Sequence, residues 1–265
     1  MQFAFSPADE AFRQEVRDFY EQELPADWYG GYDERDSMHE YIRSVRKKLA
    51  DKQWLTMAWP KEYGGQDAPI TQQLIFAEES AYYRFTARDQ GVGFLGPAIW
   101  MHGTEEQKKK FLPRLATGEW VGCFGLTEPN FGSNAGGMAT YCKQDGDDWI
   151  INGNKMWITN GSIADVAVVW AKDEDGIIRG FLLETGMAGF SAPQQHGKLS
   201  LRASVTSELV MDNVRVSDSA RLPNIEGLKG PLSCLTQARY GIAWGMVGAA
   251  VDCYNTALEL SLIHI

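Results

Sequence analysis

The feature that most constrains the fold of this chain is a change in its hydrophobic pattern near Gly118. Before that point, apolar residues recur at the three- and four-residue spacing of helices. From Gly118 to about Val216, the runs VAVVWA, RGFLLE and SELVMDNVRV are β-branched or alternating, which is typical of strands. After Pro231 the helical spacing returns. The pattern predicts helices, then an antiparallel β block that closes as a small barrel or sandwich, then a further helix.

Start signals and breakers locate the helices of the first part. Ser6 and Pro7 supply an N-cap and a first-turn proline. Thr104 and Gln107 form a capping box in front of EEQKKKFLPRL, whose Phe111 we expect to face inward. The predicted helices run from Pro7 to before Pro25, from Met38 to Leu49, from Ile70 to Tyr83 and from Glu105 onward.

Turn signals divide the β block. Asp145-Gly146, Asn152-Gly153 and Asp175-Gly176 are dipeptides typical of hairpin turns. Farther on, the charge-free stretch from Tyr240 to Val251 is too short to span a bilayer and predicts a buried helix.

The composition excludes several classes of protein. Of the 265 residues, 44% are hydrophobic and 23% charged, as in an ordinary globular protein. The net charge of −10 argues against a nucleic-acid-binding surface. The four cysteines show no metal-ligand spacing, so we expect reduced thiols and no metal site. No signal peptide or membrane span is recognisable, so we expect bacterial cytoplasm or, in a eukaryote, the mitochondrial matrix.

Two segments combine the features of a ligand site. They are CFGLTEPNFGS, residues 123–133, and KMWITNG, residues 155–161. Each is predicted to be a strand that runs into a turn, where backbone N–H groups, hydroxyls and an aromatic side chain are open to a ligand. A flat, electron-accepting heterocycle needs such donors and a π-face. Thr, Gly and Pro are also ordinary turn residues, so plain turn chemistry stays open as an alternative.

The same segments carry a family resemblance. LTEPxxGS and KxWITNG, in this order and spacing, resemble the acyl-CoA dehydrogenases, as do WPKEYGG and HGTEEQKKKFLP upstream. GFLLETGMAGFSAP, GKLSLRAS and ARYGIAWG are similar to the glutaryl-CoA dehydrogenases within that family. The resemblance implies an α+β, acyl-CoA dehydrogenase-like fold. Its parts would be an N-terminal helical domain (1–117), a middle antiparallel β-barrel or sandwich (118–228) and the start of a C-terminal helical-bundle domain (229–265).

The resemblance implies an activity as well. This activity is FAD-dependent α,β-dehydrogenation of an acyl-CoA thioester. The expected substrate is glutaryl-CoA, and decarboxylation to crotonyl-CoA could follow the oxidation. A carboxylate base would remove the α-proton while the β-hydride passes to the flavin, and an electron-transferring flavoprotein would accept the electrons. The full-length enzyme would be a homotetramer. Two alternatives stay open: a short- or branched-chain acyl-CoA dehydrogenase or oxidase, and an inactive flavin- or acyl-CoA-binding scaffold.

The motifs imply roles for particular residues. Donors at the pyrimidine edge of the flavin would come from Phe124, Leu126 and Thr127. Trp157 would pack on the flavin beside Ile158, and Thr159 would form a hydrogen bond near N5 of the flavin. Ser133 would contact both the FAD and the CoA arm. Without the motif, Trp157 would be assigned to the core, and Thr127 and Ser133 to a turn.

Substrate contacts are implied elsewhere. Arg239, in the ARYG segment, would lie near the thioester and pantetheine end, with Leu232 in the adjoining wall. A glutaryl substrate needs a cation for its distal carboxylate, and the sequence offers Arg84, which we prefer, and Arg88. On its own, Arg239 is typical of a solvated arginine, and Arg88 is equally suited to pair with Asp89.

The resemblance also predicts a missing group. The family's catalytic glutamate is expected beyond Ile265, and its alternative position before Arg239 holds Ala238. We therefore expect no catalytic base in residues 1–265, a chain truncated early in its third domain, and no activity from these residues alone.

Overall fold

Six helices and seven strands are assigned in the computed structural model, which describes residues 4–30, 36–85, 87, 90–202 and 204–263. By their contacts they divide into two units, residues 1–87 with 238–265, and residues 88–237. The helices are α1 Pro7–Glu23, α2 Asp36–Asp51, α3 Ile70–Tyr82, α4 Gly96–His102, α5 Glu105–Ala116 and α6 Lys229–Ile263. The strands are β1 Gly122–Gly125, β2 Tyr141–Asp145, β3 Asp148–Thr159, β4 Val166–Lys172, β5 Ile178–Glu184, β6 Phe190–Ser191 and β7 Thr206–Ser217.

The first unit is built from α1, α2, α3 and the C-terminal part of α6. α1 begins at a capping box in which Ser6 Oγ accepts the N–H of Asp9 and the Asp9 carboxylate accepts the N–H of Ser6. Its buried stripe includes Tyr20, whose hydroxyl shares a 2.8 Å hydrogen bond with Ser80 of α3. The predicted helices of this unit are confirmed, with their ends within two residues of the expected positions.

Small residues bring α6 close to α3. A Cβ on Gly248 would stand 1.9 Å from the carbonyl oxygen of Glu78, and Trp244 donates its indole N–H to the Glu78 carboxylate over 2.9 Å. The large side chains on the rest of this stretch are exposed: Tyr240, Ile242, Met246, Val247 and Val251. The prediction that residues 240–251 are buried is therefore wrong for these side chains, because the glycines bring only one face of the helix against α3.

The second unit contains a seven-stranded sheet together with α4, α5 and the first turns of α6. The strand order is β1-β4-β2-β3-β7-β6, with β5 paired to β4. β1 runs parallel to β4, with Phe124 opposite Val168, and Tyr141 of β2 meets β4 in parallel at Lys172. The other pairs are antiparallel. The α+β class with a middle β sheet is confirmed, but the purely antiparallel pairing is wrong where β4 meets β1 and β2. β1 enters the sheet from a helix rather than through a hairpin.

Two of the three predicted turns are confirmed. Gly146 (φ 65°) follows β2 in a two-residue turn, and Gly176 (φ 78°) lies between β4 and β5. The prediction of a turn at Asn152-Gly153 is wrong, since both residues lie inside β3. Gly153 (φ 139°) sits at a bulge, and a Cβ there would stand 2.7 Å from the Cα of Thr140.

Helix α5 packs in the second unit through a buried face that includes Phe111, as predicted. The predicted capping box is present: Thr104 Oγ1 accepts the N–H of Gln107 at 3.2 Å, and Gln107 Oε1 accepts the N–H of Thr104 at 2.9 Å. Gln107 Nε2 also donates to the carbonyl oxygens of Ser219 (2.8 Å) and Arg221 (2.9 Å). The Gln107 side chain thus caps the start of α5 and joins that helix to the segment that follows β7.

The domain boundaries expected after residues 117 and 228 stay predictions, although residues 88–117 group with the β block in this structure. Among the described residues, no helix has both the length and the apolar character needed to cross a membrane. Nor does that part of the chain contain a cluster of His, Cys, Asp and Glu that could hold a metal ion.

Candidate functional site

The two motif segments lie side by side. β1 ends at Gly125, and the backbone N–H of Met156 in β3 donates to the carbonyl oxygen of Thr127 over 2.8 Å. The segment that leaves β1, residues 126–140, is called the site loop below. Its first residues and the KMWITNG segment are therefore neighbours, as a shared site requires.

β3 carries a bulge between Lys155 and Ile158. Lys155 is opposite Leu209 of β7 and Ile158 is opposite Ser207, so β3 has one residue more than its partner across this interval. Trp157 takes φ 61° and its side chain is 58% exposed, whereas Lys155 and Ile158 are buried. A bulky residue in the left-handed region is strained. The fold accepts this strain and keeps the indole out of the core.

Polar groups beside Trp157 are left without protein partners. Within the described residues, the hydroxyls of Thr127 and Thr159 make no hydrogen bond. The buried Nδ2 of Asn160 also lacks a partner there, although the Asn160 backbone N–H is held by Val205 at 2.9 Å. A buried donor without an acceptor costs free energy. This surface therefore suits a ligand that offers acceptor atoms and a flat face.

A buried ion pair connects the two segments on the inner side of the sheet. Lys155 Nζ lies 2.7 Å from Glu128 Oε1, and the two residues are 0% and 4% exposed. Lys155 Nζ also donates to the carbonyl oxygen of Leu126 at 3.4 Å. The Glu128 carboxylate accepts the N–H groups of Ala139 (2.6 Å) and Thr140 (3.0 Å) at the far end of the site loop.

Burial and the neighbouring charge shift the pKa of each member of this pair. Burial lowers the pKa of Lys155 to about 8, although Glu128 works in the opposite direction. Burial would raise the pKa of Glu128, but the hydrogen bond and charge of Lys155, together with the two backbone amides, keep that pKa below its usual value.

The other residues expected to contact a cofactor divide into buried and exposed ones. The Phe124 ring packs in the core, 5.4 Å from the ring of Phe94 and 5.9 Å from that of Trp170, measured between centroids. Leu126 is buried as well, as is Ile158. Only the backbone groups of these three can serve a ligand. Ser133 is exposed in the site loop.

The residues expected to contact substrate are placed as follows. Arg84 follows α3 and is paired with Asp252 of α6 through hydrogen bonds of 2.7 and 2.8 Å. Leu232 and Arg239 are exposed on α6. Arg88 lies outside the described residues. The substrate roles of these side chains stay predictions.

Reasoning from the sequence missed Glu128, Lys155 and Asn160, although all three lie in the quoted motifs. One signal was available for Lys155: it shares the inward phase of the alternation in β3 with Trp149 and Ile151. A lysine at an inward position needs a counter-charge, and the nearby motif contains one carboxylate.

Comparisons with known proteins match both parts of the chain. The model of the acyl-CoA dehydrogenase N-terminal domain matches residues 6–119, and that of the acyl-CoA dehydrogenase middle domain matches residues 123–214. The short-chain specific acyl-CoA dehydrogenase of Clostridium acetobutylicum is 34% identical over 97% of this chain and 69% of its own length.

Solved structures of such enzymes are similar in fold. A glutaryl-CoA dehydrogenase from Mycobacterium smegmatis, in complex with FADH2, has a TM-score of 0.86 and 43% identity over 96% of this chain. Butyryl-CoA dehydrogenase from Megasphaera elsdenii has a TM-score of 0.80 and 31% identity over 98% of this chain. This chain spans 65% of the length of the first and 70% of the second. The match in sequence and fold along nearly the whole chain means that it belongs to the acyl-CoA dehydrogenase family, whose members are FAD-dependent oxidoreductases.

Proposed function

We propose that the full-length protein catalyses FAD-dependent α,β-dehydrogenation of an acyl-CoA thioester. The observation that carries this proposal is the hydrogen bond from Met156 to Thr127, which joins the segment that carries the exposed Trp157 to the first residues of the site loop. Family membership supports the same activity. FAD, when bound, would supply the electron acceptor for the reaction.

The described residues fit a flavin. The free hydroxyls of Thr127 and Thr159, and the buried Nδ2 of Asn160, are donors for ring carbonyls and nitrogens. The Trp157 indole offers a face for stacking. We assign to FAD these side chains and the backbone groups of Phe124, Leu126 and Ile158. Fixed donors at the pyrimidine edge would stabilise negative charge that develops there.

Ser133 is proposed to contact both the cofactor and the CoA arm, since it is exposed in the same site loop. Arg239 and Leu232 are proposed to contact the substrate near its thioester. The catalytic glutamate expected beyond residue 265 and the expected inactivity of residues 1–265 stay predictions.

Glutaryl-CoA is the first substrate to test, because a glutaryl-CoA dehydrogenase is 43% identical to this chain. One observation favours a second candidate, a short- or branched-chain acyl-CoA without a distal carboxylate. Arg84, the cation proposed for that carboxylate, already holds Asp252 with two N–H groups. A guanidinium edge engaged by one carboxylate is not free to bind a second in the same bidentate way.

We also propose an electron-transferring flavoprotein as the electron acceptor and a homotetramer as the assembled enzyme. The bacterial cytoplasm or the mitochondrial matrix is the proposed compartment.

The test is to purify the full-length protein, reconstitute it with FAD, and record flavin absorbance before and after adding glutaryl-CoA or butyryl-CoA. We expect bound flavin that is bleached by an acyl-CoA. A kcat/KM at least about tenfold higher for glutaryl-CoA supports the first substrate, and the reverse preference supports the second. Failure to bind FAD overturns the proposal, and flavin binding without turnover of any acyl-CoA indicates the inactive scaffold.

A further inference from the structure

We propose that Glu128 and Lys155 act as a positioning pair that holds the two sides of the candidate flavin site in register. One side is the site loop with Thr127, and the other is the β3 bulge with Trp157. The inference rests on the proposed FAD binding, and it assigns neither residue a contact with the cofactor.

The Glu128 carboxylate closes the site loop. At one end of the loop, Glu128 and Phe131 exchange backbone hydrogen bonds of 3.2 Å across a tight turn. At the other end, the same carboxylate accepts the N–H groups of Ala139 and Thr140 at 2.6 and 3.0 Å. Ser133 lies between these two points. Loop ends that are held to one buried carboxylate lose much of their conformational freedom.

Lys155 connects that carboxylate to the bulge. Its Nζ lies 2.7 Å from Glu128 Oε1 and 3.4 Å from the carbonyl oxygen of Leu126, so it holds both residues that flank Thr127. Lys155 is also the residue at which the bulge begins, and Met156 bonds to Thr127 directly after it. The left-handed conformation of Trp157 persists only where the residues around it are firmly held. Lys155 supplies that restraint on one side of the indole.

A role in stability alone would not require this arrangement. Buried ion pairs are often no better for stability than well-packed apolar residues, because both charges lose their hydration. Here one pair fixes three separate stretches of chain, at residues 126–128, 138–140 and 155–156, and two of them carry the candidate site. The geometry thus indicates positioning.

The chain contains a matched control. The Asp173 carboxylate accepts the N–H groups of Asp175 (3.1 Å) and Ile177 (2.8 Å) and pairs with Arg179 at 2.8 Å. It has the same set of partners as Glu128, two backbone amides and one cation, but it lies in the turn between β4 and β5. Asp173→Asn therefore removes the same kind of interaction at a place without a proposed site residue.

The experiment compares Glu128→Gln, Lys155→Met and Asp173→Asn in the full-length protein. Three properties are measured: the dissociation constant for FAD, the visible spectrum of the bound flavin, and the rate of hydrogen exchange at the Met156 amide. We expect the first two variants to weaken FAD binding at least about tenfold, the size of a lost hydrogen bond to a charged group. They should also shift the spectrum and speed the exchange at Met156. Asp173→Asn should change FAD affinity less than about threefold, even if it lowers the melting temperature equally.

The double variant Glu128→Gln/Lys155→Met guards against simple misfolding, because it removes both charges and leaves none unpaired. Recovery of the melting temperature without recovery of FAD affinity supports positioning. If FAD affinity and the spectrum follow the melting temperature in every variant, or if Glu128→Gln leaves both unchanged, the inference fails while the proposed function stands. A wild-type protein that binds no FAD overturns both.

Discussion

Arg84 and Asp252 are joined by two parallel hydrogen bonds, Nε to Oδ2 at 2.7 Å and Nη2 to Oδ1 at 2.8 Å. Their side chains are 29% and 19% exposed, so the pair is partly shielded from water. It links the residue that follows α3 to the C-terminal part of α6. An arginine that the sequence assigns to a substrate is thus used, in this structure, to hold two helices of the first unit together.

Replacing Arg84 should reveal that structural use. We expect Arg84→Ala to lower the free energy of unfolding by about 1–2 kcal/mol, because it leaves the half-buried Asp252 without its bidentate partner. Urea unfolding measures this. The control is Lys143→Ala, which breaks an exposed pair with Glu174 and should have no measurable effect.

The same variant tests the substrate. With Arg84 held by Asp252, kcat/KM of the full-length enzyme should fall by a similar factor for glutaryl-CoA and butyryl-CoA. A loss at least about tenfold larger for glutaryl-CoA would instead identify Arg84 as the carboxylate-binding residue.

Two glycines of α6 should respond oppositely to a methyl group. A Cβ on Gly248 would lie 1.9 Å from the carbonyl oxygen of Glu78, so we expect Gly248→Ala to destabilise the chain by about 1–3 kcal/mol. At Gly245 the nearest atom is 3.5 Å away. Gly245→Ala should therefore be neutral or stabilise by up to about 1 kcal/mol, through helix propensity alone. Equal thermal shifts in the two variants would contradict the close approach of α6 to α3.

Replacing Gln107 should destabilise the protein more than replacing its capping partner, Thr104. Thr104→Ala removes one cap and should cost about 1 kcal/mol. Gln107→Ala removes the reciprocal bond and also the donors to the carbonyl oxygens of Ser219 and Arg221, so we expect a loss of about 2–3 kcal/mol. Denaturant midpoints at constant m-value would show which variant loses more stability. A larger loss for Thr104→Ala than for Gln107→Ala would count against the link from α5 to the segment after β7.

The contribution of Glu128 to the free energy of unfolding should decrease as the pH is lowered. Its folded pKa is lowered, so its stabilisation is complete above the ordinary value of 4.5 and is lost as pH falls through the folded pKa. Glu128→Gln resembles the protonated form. The difference in unfolding free energy between wild type and Glu128→Gln should shrink as pH falls below about 5. Above that pH, Lys155 also contributes to the pH dependence, because Glu128 raises the pKa of Lys155. A difference that does not shrink between about pH 5 and about pH 3 would show that the folded pKa of Glu128 is not lowered.

Trp157 should lower the free energy of unfolding but strengthen the binding of FAD. Glycine relieves the strain of φ 61°, and little burial is lost with an indole that is 58% exposed. We expect Trp157→Gly to keep or raise the free energy of unfolding, by up to about 1 kcal/mol, while FAD affinity falls at least about tenfold. Trp157→Phe, which keeps both the ring and the strain, should gain no stability. A Trp157→Gly variant that binds FAD normally would remove the indole from the proposed site.

Much of the fold is local enough to be predicted. The capping boxes at Ser6 and Thr104, the helices that follow them and the hairpin at Gly146 depend on residues within a few positions of one another. Pairing between distant segments is different. β1 joins β4 in parallel across more than forty residues, and no residue of β1 specifies that partner.

The sequence by itself determined the helix-strand-helix order and the two motif segments, because periodicity and turn chemistry are properties of neighbouring residues. It did not determine which way Trp157 faces. Counting alternate residues from Trp149 and Ile151 puts both Lys155 and Trp157 inside the sheet. Only the tertiary structure decided otherwise: β7 pairs with β3 through a bulge that reverses the phase after Lys155. The charge of Lys155 is thereby buried against Glu128, and the indole faces outward.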